Sequence, residues 1–195
     1  MANFHLNSQP YIEQLSYNQD TDMILEIGSD QDEGSTEFFN ALACNHVIPF
    51  YTVDVVDVGQ HKFAHLEEIV WQIADSGSKW AKTVLPTLNK QIKVLYLDNY
   101  DWCNPGPFAD IINARYAERN VKWSNIGSQT EHIAQMINCL PYMAEQSLVV
   151  CDDTPLVEYS GTYTGKCGAV VPLLLANDYT VVYSGNNGVI LARGL

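Results

Sequence analysis

The chain has 195 residues, which is enough for one domain with a full-sized core, and its 47% hydrophobic and 17% charged content is ordinary for a globular protein. Its 23 acidic and 10 basic side chains leave a formal net charge of −13, which repels phosphate backbones and anionic lipid. Nucleic acid and membranes are therefore not expected as partners. The N-terminal residues carry no signal-peptide pattern and no apolar run is long enough to span a bilayer, so a cytoplasmic protein is expected.

Apolar runs separated by turn residues predict strands that alternate with helices along the chain. The predicted strands span residues 23–27, 50–54, 69–74, 92–97 and 147–151. The predicted helices span residues 34–44, 62–68, 78–88, 107–118, 128–144 and 166–176. The chain continues with VVYSG and GVILARG, two runs that flank the turn signal Asn186-Asn187 and therefore predict an antiparallel hairpin.

This order of elements predicts an α/β fold. Strands that alternate with helices and are nearly continuous in apolar residues indicate a mostly parallel sheet with helices on both faces. Residues 1–195 are expected to form a single domain in which residues 1–20 are an N-terminal cap segment. Because ligands of such sheets bind at the carboxyl ends of the strands, the residues that follow each strand are the ones that bear on function.

An acidic side chain lies at the exit of each of the five predicted strands. These residues are Glu26, Asp54, Asp75, Asp98 and Asp152. Helix capping explains some of them, but carboxylates crowded at one edge of a sheet also need a cation or protons. The loop LEIGSDQDEGST adds Asp30, Asp32 and Glu33, whose charges would repel the pyrophosphate that glycine-rich loops commonly bind. The loop therefore favours a ligand with positive charge, such as the sulfonium and amine of S-adenosyl-L-methionine (SAM).

Six motifs in order, LEIGSDQDEGST, FYTVD, ADS, VLYLDNYDW, LVVCDDT and GVILARG, resemble those of the class I SAM-dependent methyltransferases, from about Met23 to Leu195. The resemblance implies a seven-stranded sheet in the order 3-2-1-4-5-7-6, with one strand of the C-terminal hairpin antiparallel. It also implies SAM as the cofactor. The implied cofactor-binding residues are Glu26, Gly28 and Ser29 near the methionine part, Gly34 and Ser35 in the same loop, Asp54 on the ribose, Asp75 and Ser76 near the adenine, and Asp98.

The strand-four and strand-five ends are also similar to those of the metal-dependent catechol-type O-methyltransferases. Asp98, Asp152 and Asp153 match the metal-ligand positions of that family, with Asp153 in place of an Asn, which implies a site for Mg²⁺ or Ca²⁺. Asp101 stands where that family has its general-base lysine. In the alternative interpretation, Asp98 contacts the amine of SAM, Asp153 caps a helix, and no metal binds.

Three residues are candidates for catalysis: Asp101, His132 and Lys166. Asp101 and His132 are candidate bases, and Lys166 lies in a glycine-flanked loop that would face the acceptor, although a lone histidine is more often structural. The expected activity is methyl transfer from SAM to a small-molecule acceptor, at a hydroxyl oxygen. A SAM-binding protein without turnover and an NAD-dependent oxidoreductase are the alternatives, and a homodimer stays open.

Overall fold

The computed structural model of the protein describes residues 3–29, 34–55, 66, 69–102, 106–118 and 120–195. The acids of the glycine loop, Asp30, Asp32 and Glu33, lie outside the described residues. So does nearly all of the predicted helix 62–68.

Nine strands and six α-helices are described. The strands are β1 (Asp22–Ile27), β2 (Phe50–Asp54), β3 (Ile69–Ile73), β4 (Gln91–Leu97), β5 (Met143–Cys151), β6 (Leu156–Val157), β7 (Thr162–Tyr163), β8 (Thr180–Gly185) and β9 (Gly188–Arg193). The helices are α1 (Gln9–Ile12), α2 (Ser35–His46), α3 (Gly77–Thr83), α4 (Pro107–Ala117), α5 (Asn125–Cys139) and α6 (Val170–Leu175). Short 3₁₀ turns lie at Phe4–Ser8, Leu85–Thr87 and Leu140–Tyr142.

Seven of the strands form one sheet in the order β3-β2-β1-β4-β5-β9-β8, and β6 pairs with β7 in a separate two-stranded hairpin. Counting only the strands of the large sheet, this is the order 3-2-1-4-5-7-6. Strands β3, β2, β1, β4 and β5 pair in parallel, while β9 runs antiparallel to both of its neighbours. The predicted α/β fold with its reversed hairpin strand is confirmed.

The helix predicted at residues 128–144 exists, but both of its ends are predicted wrongly. Helix α5 begins at Asn125 because the Ser124 side chain accepts a hydrogen bond from the amide of Gly127. It ends at Cys139, where Pro141 enters a 3₁₀ turn and cannot continue the hydrogen-bond ladder. Strand β5 then starts at Met143, four residues before the predicted strand.

Side chains of the parallel strands alternate between two apolar layers, one on each face of the sheet. One layer joins Leu25 and Ile27 of β1 to Trp80 of α3 and Met136 of α5. The other joins Ile24 of β1 to residues of α2 and of the N-terminal segment. Each face of the sheet is therefore covered by helical segments. The residues that directly follow β1, β4 and β5 lie outside both apolar layers, at the edge of the sheet.

The N-terminal segment packs against the C-terminal hairpin. Phe4 and Ile12 are buried, and the Tyr11 hydroxyl donates a 2.7 Å hydrogen bond to the carbonyl of Val182 in β8. The ring of Phe4 lies so close to Gly188 that a Cβ there would come within 2.5 Å of it. The hairpin turn itself is made by Asn186 and Asn187, both with positive φ, as its type demands.

In the part of the chain that the structure describes, no helix has the length and apolar character needed to cross a membrane.

Candidate functional site

The exits of β1, β4 and β5 meet at one edge of the sheet because their register is parallel. The amide of Asp98 donates to the carbonyl of Ile27 at 3.0 Å, and the amide of Asp152 donates to the carbonyl of Leu97 at 3.3 Å. On the other side of β1, the amide of Gly28 donates to the carbonyl of Val53 at 2.8 Å. The residues after these strands are therefore neighbours, as the sequence predicts.

Gly28 is the point at which the loops after β1 and β4 touch. Its φ of +103° lies in a region that L side chains rarely adopt. A Cβ at this position would lie 2.4 Å from the backbone nitrogen of Asn99 and 2.5 Å from the carbonyl carbon of Asp98. Only glycine fits, so the backbone after β1 comes directly against the backbone after β4.

Glu26, the last residue but one of β1, links the strand to the elements around the loop. Its side chain is fully buried and accepts hydrogen bonds from the hydroxyls of Ser35 and Thr36 at 2.7 Å each and of Thr52 at 2.6 Å. Hydroxyl donors of this kind satisfy a carboxylate that burial has removed from water. The Glu26 carboxylate thus joins the end of β1, the start of α2 and strand β2.

Asp54 and Ser29 link the exits of β1 and β2. The amide of Ser29 donates to the Asp54 carboxylate at 3.0 Å, and the Ser29 hydroxyl lies 2.8 Å from that of Thr52. Gly34 precedes helix α2 with a φ of +86°, and among the described residues no atom lies within 4 Å of the position of an added Cβ. These residues form an acidic and hydroxyl-rich rim at the end of β1.

Asp75 and Ser76 follow β3 and open helix α3. The Ser76 hydroxyl accepts a hydrogen bond from the amide of Lys79, which is the geometry of a helix N-cap. The exposed Asp75 carboxylate forms an ion pair with Lys79, and this hydrogen bond and the positive charge lower the pKa of Asp75. Both residues lie at the predicted edge, where they have capping and surface contacts.

Lys166 lies between the carboxylates of Asp98 and Asp153. Its ammonium donates to Asp98 at 2.6 Å and lies 3.0 Å from Asp153, although only 7% of the side chain is exposed. Burial opposes its positive charge, but the two carboxylates outweigh burial and raise the pKa of Lys166 above its usual value. The backbone supports this arrangement, since the amide of Lys166 donates to the carbonyl of Asp153 at 3.0 Å.

Tyr96 joins Asp98 to Asp152. Its hydroxyl lies 3.0 Å from an oxygen of Asp98 and 2.9 Å from an oxygen of Asp152. Burial, followed by the negative charge of Asp98, raises the pKa of Asp152 to about 7. Burial also raises the pKa of Asp98, against the opposing effect of Lys166. We call Tyr96, Asp98, Asp152, Asp153 and Lys166 the strand-end cluster.

The predicted metal site at Asp98, Asp152 and Asp153 is not supported. Within the described ranges, no group of three or more His, Cys, Asp or Glu side chains is arranged to hold a metal ion. The physical reason is the ammonium of Lys166, which already lies between the oxygens of Asp98 and Asp153. Asp153 also accepts a 2.7 Å hydrogen bond from the side-chain amide of Asn187.

His132 projects from α5 and is fully buried. Its Nδ1 lies 2.8 Å from the carbonyl of Ser128, which fixes this nitrogen as the N–H donor, while Nε2 has no hydrogen-bond partner among the described residues. Burial lowers the pKa of His132 to about 4, so the ring is neutral near pH 7. The neutral ring has an acceptor nitrogen available for a proton, but the lowered pKa makes it a weaker base than a histidine in water.

Asp101 is directed to helix α4. Its amide donates to the hydroxyl of Tyr116 at 2.9 Å, its carbonyl accepts from Trp123 at 3.0 Å, and its carboxylate lies 3.9 Å from the guanidinium of Arg115. The structure thus does not bring Asp101 into the strand-end cluster. It places Lys166, a predicted catalytic residue, against Asp98 and Asp153, which were predicted to bind a metal ion.

Sequence reasoning missed Tyr96, Asn187 and the three hydroxyls on Glu26. Tyr96 had a usable signal, because residues two apart on a strand share a face and Tyr96 stands two before Asp98. Asn187 had none, since its contact with Asp153 spans 34 positions and depends on the path of the chain between them.

No protein-family model matches the chain, and neither does any curated protein. Solved structures do match its fold. The calicheamicin methyltransferase CalS11 aligns with a TM-score of 0.58 and 13% identity over 98% of this chain and 79% of its own. A putative rRNA methylase from Clostridium thermocellum aligns with a TM-score of 0.57 and 9% identity over 98% and 97%.

A third structure contains bound ligands. The 1,6-didemethyltoxoflavin-N1-methyltransferase of Burkholderia thailandensis, with 1,6-didemethyltoxoflavin and S-adenosylhomocysteine, aligns with a TM-score of 0.53 and 11% identity over 98% of this chain and 78% of its own. At such low identity, the likeness of these three proteins to this chain shows the fold alone.

Proposed function

We propose that this chain, which has the fold of the class I SAM-dependent methyltransferases, binds SAM and transfers its methyl group to a small-molecule acceptor. One observation carries the proposal. The exits of β1, β2 and β4 form a single acidic edge, at which Gly28 brings two loop backbones into contact and the Ser29 amide holds Asp54. A cationic ligand is attracted to such an edge and a pyrophosphate is repelled.

The cofactor lies along this edge in the proposal. Its positively charged methionine part faces Gly28, Ser29 and Asp98, and its ribose hydroxyls face Asp54. Gly34 and Ser35 complete the loop before α2, and Asp75 with Ser76 lies beside the adenine. The contribution of Glu26 is indirect, because its buried carboxylate fixes Ser35 and Thr36 through their hydroxyls.

The acceptor group is a hydroxyl, and it lies beside the strand-end cluster. Lys166 offers a hydrogen-bond donor while Asp98 and Asp153 offer acceptors, and a hydroxyl oxygen both donates and accepts. The acceptor oxygen attacks the sulfonium methyl in line, the bond from sulfur to that methyl breaks, and S-adenosylhomocysteine leaves. The hydroxyl proton passes to a base, for which we take His132, because its Nε2 has no partner among the described residues.

The remaining parts of the proposal concern partners and domain organisation. A net charge of −13 favours small acceptors over nucleic acid. The buried Phe4 and Ile12 support a role for residues 1–20 as a cap segment of one domain. A protein that binds SAM without turnover has the same edge, so binding and transfer are tested separately.

The binding test is isothermal titration calorimetry with SAM, S-adenosylhomocysteine and NAD. We expect heat with both SAM compounds and none with NAD. The variant Asp54→Ala should bind SAM more weakly by about 1–3 kcal/mol, which is the cost of removing a hydrogen-bond partner. The matched control is Glu145→Ala, an exposed carboxylate in β5 that should leave the affinity unchanged. Absence of binding to either SAM compound would refute the proposal.

The transfer test uses SAM with a labelled methyl group and a panel of phenols, sugars, carboxylic acids and amines. Label in phenols or sugars supports a hydroxyl acceptor. Label only in amines or carboxylic acids would contradict the hydroxyl assignment and leave methyl transfer standing. Tight SAM binding with no labelled product would favour the alternative in which the protein binds SAM and does not catalyse transfer.

A further inference from the structure

The strand-end cluster holds three carboxylates against one ammonium. Asp98 and Asp152 follow neighbouring strands, and Asp153 extends the set by one residue. Lys166 contacts two of the three, at 2.6 Å and 3.0 Å, and Tyr96 links the third to the first. Crowded carboxylates repel one another, so the positive charge between them is the group that permits their close approach.

The backbone conformation around Gly165 places the ammonium of Lys166 against the carboxylates. Gly165 has a φ of +79°, and a Cβ there would lie 1.8 Å from the carbonyl oxygen of Asp153. This close approach brings the next residue, Lys166, onto the carboxylates. Asp153 has the left-handed φ of +45°, which aspartate tolerates better than most residues, and Asn187 holds its other oxygen.

One N–H group of the Lys166 ammonium is not used by the two carboxylates. A lysine ammonium has three N–H groups, and Asp98 and Asp153 account for two of them. The described residues supply no acceptor for the third. The Asp153 side chain is 39% exposed, so the cluster is open to solvent on that side.

We infer that the ammonium of Lys166 is the resident cation of this site, in the position where a divalent metal would bind the same carboxylates. The wild-type protein then offsets the charge of Asp98 and Asp153 without a metal ion. Removing the ammonium leaves carboxylate oxygens with uncompensated charge. Ca²⁺ binds such oxygens and completes its set of about six to eight oxygen ligands with carbonyls and water. This inference concerns cation occupancy and does not depend on methyl transfer.

The test compares the wild-type protein with Lys166→Met in CaCl₂ and in NaCl of equal ionic strength. Methionine keeps the length and apolar stem of lysine and removes the charge. We expect 10 mM CaCl₂ to raise the melting temperature of Lys166→Met by about 5 °C over the NaCl reference, from mass action at a millimolar or submillimolar site. The wild-type protein should show no such rise.

Three further variants identify the site of binding. Lys166→Arg keeps a cation and should remain insensitive to calcium. Lys79→Met removes an exposed lysine that pairs with the lone carboxylate of Asp75, so it should create no calcium site. Adding Asp98→Asn to Lys166→Met should abolish the calcium response.

Terbium luminescence gives a second readout, because Tyr96 lies beside the cluster and its excitation is transferred to a nearby lanthanide. Lys166→Met should show terbium emission that calcium displaces and that the wild-type protein and Lys166→Met with Asp98→Asn both lack. If Lys166→Met is unfolded alone, recovery of its circular dichroism spectrum on adding calcium supports the inference. Failure to recover, a calcium response equal to that of the wild-type protein, or calcium binding by the wild-type cluster would overturn it.

Discussion

Tyr96 has one phenolic proton and two carboxylate neighbours, Asp98 and Asp152. One of the two contacts therefore needs a proton from the carboxyl group. Lys166 contacts Asp98 and stabilises its negative charge, while burial and the charge of Asp98 raise the pKa of Asp152 to about 7, so Asp152 is the carboxyl that carries the proton below that pH. The resulting chain runs from the Asp152 proton to the Tyr96 oxygen, from the Tyr96 proton to Asp98, and from Asp98 to Lys166.

This arrangement predicts how stability depends on pH. A carboxyl whose pKa is raised on folding favours the folded state at low pH, and its contribution is lost as pH rises from about 4 to about 7. The loss for Asp152 is on the order of 4 kcal/mol, from about 1.4 kcal/mol for each pKa unit. Asp152→Asn keeps the shape and a donor for Tyr96, so its unfolding free energy should lack this fall.

The measurement is urea unfolding from pH 4 to pH 8 for both proteins. The difference in unfolding free energy between the two proteins is the quantity to compare, because His132 makes stability rise with pH in both of them. Its pKa is lowered to about 4 by burial, so its contribution is lost as pH falls below 6.5. Asp98 also has a pKa raised by burial, and it is present in both proteins together with Asp153 and Lys166. Parallel curves would show that Asp152 is ionised throughout.

The sequence predicts some of these residue-level contacts and not others. Asp98 and Asp152 were placed together because they follow neighbouring parallel strands. Lys166 could not be placed on Asp98, since 68 positions separate them and the loop that connects β5 to α6 has no periodic pattern. Because the sequence does not place Lys166 next to these carboxylates, it predicts a metal ion as their positively charged partner.

At the scale of elements, two glycines determine where loops meet. Gly28 permits contact between the loops after β1 and β4, and Gly165 permits contact between Asp153 and the segment that carries Lys166. Both have positive φ, and both would place a Cβ inside another backbone. Gly161 shares the positive φ, at +64°, but no atom lies within 4 Å of its added Cβ.

A comparison of Gly161 with Gly165 separates the cost of an unfavourable φ from the cost of a steric clash. Gly161→Ala carries only the cost of an unfavourable φ, which is about 1–2 kcal/mol. Gly165→Ala carries that cost and the collision with Asp153, so it should lower the unfolding free energy by at least about 2 kcal/mol more. Urea unfolding of the two variants checks this. Equal losses would mean that the loop moves aside without cost.

The predictability of the elements follows from their length and turn chemistry. The hairpin of β8 and β9 was predicted because Asn186-Asn187 is a local signal. Helix α5 was extended too far because the apolar sequence after Cys139 continues into β5 and periodicity does not separate the two. Strands β6 and β7 have two residues each, which is too short for any pattern to predict.

At the scale of the whole molecule, the net charge of −13 acts on every ligand. SAM carries a sulfonium charge that S-adenosylhomocysteine lacks, so the field of the protein attracts SAM more strongly. Salt screens this attraction, because the screening length falls from about 10 Å at 0.1 M to about 4 Å at 0.5 M.

Raising NaCl from 0.1 M to 0.5 M should therefore weaken SAM binding more than S-adenosylhomocysteine binding, by about threefold in the ratio of dissociation constants. Calorimetry at the two salt concentrations measures the ratio. A ratio that does not change would mean that the acidic edge does not contact the sulfonium. A ratio that moves the other way would mean that a cationic side chain faces it.

The packing of the N-terminal segment on the C-terminal hairpin has a consequence for synthesis on the ribosome. Phe4 and Tyr11 precede their partners in β8 and β9 by more than 170 positions in the chain. Strand β9 also sits between β5 and β8, so the sheet is incomplete until residues 188–193 have been made. Until then the contacts of Phe4 and Tyr11 with the hairpin cannot form, so this part of the N-terminal packing is completed last during synthesis.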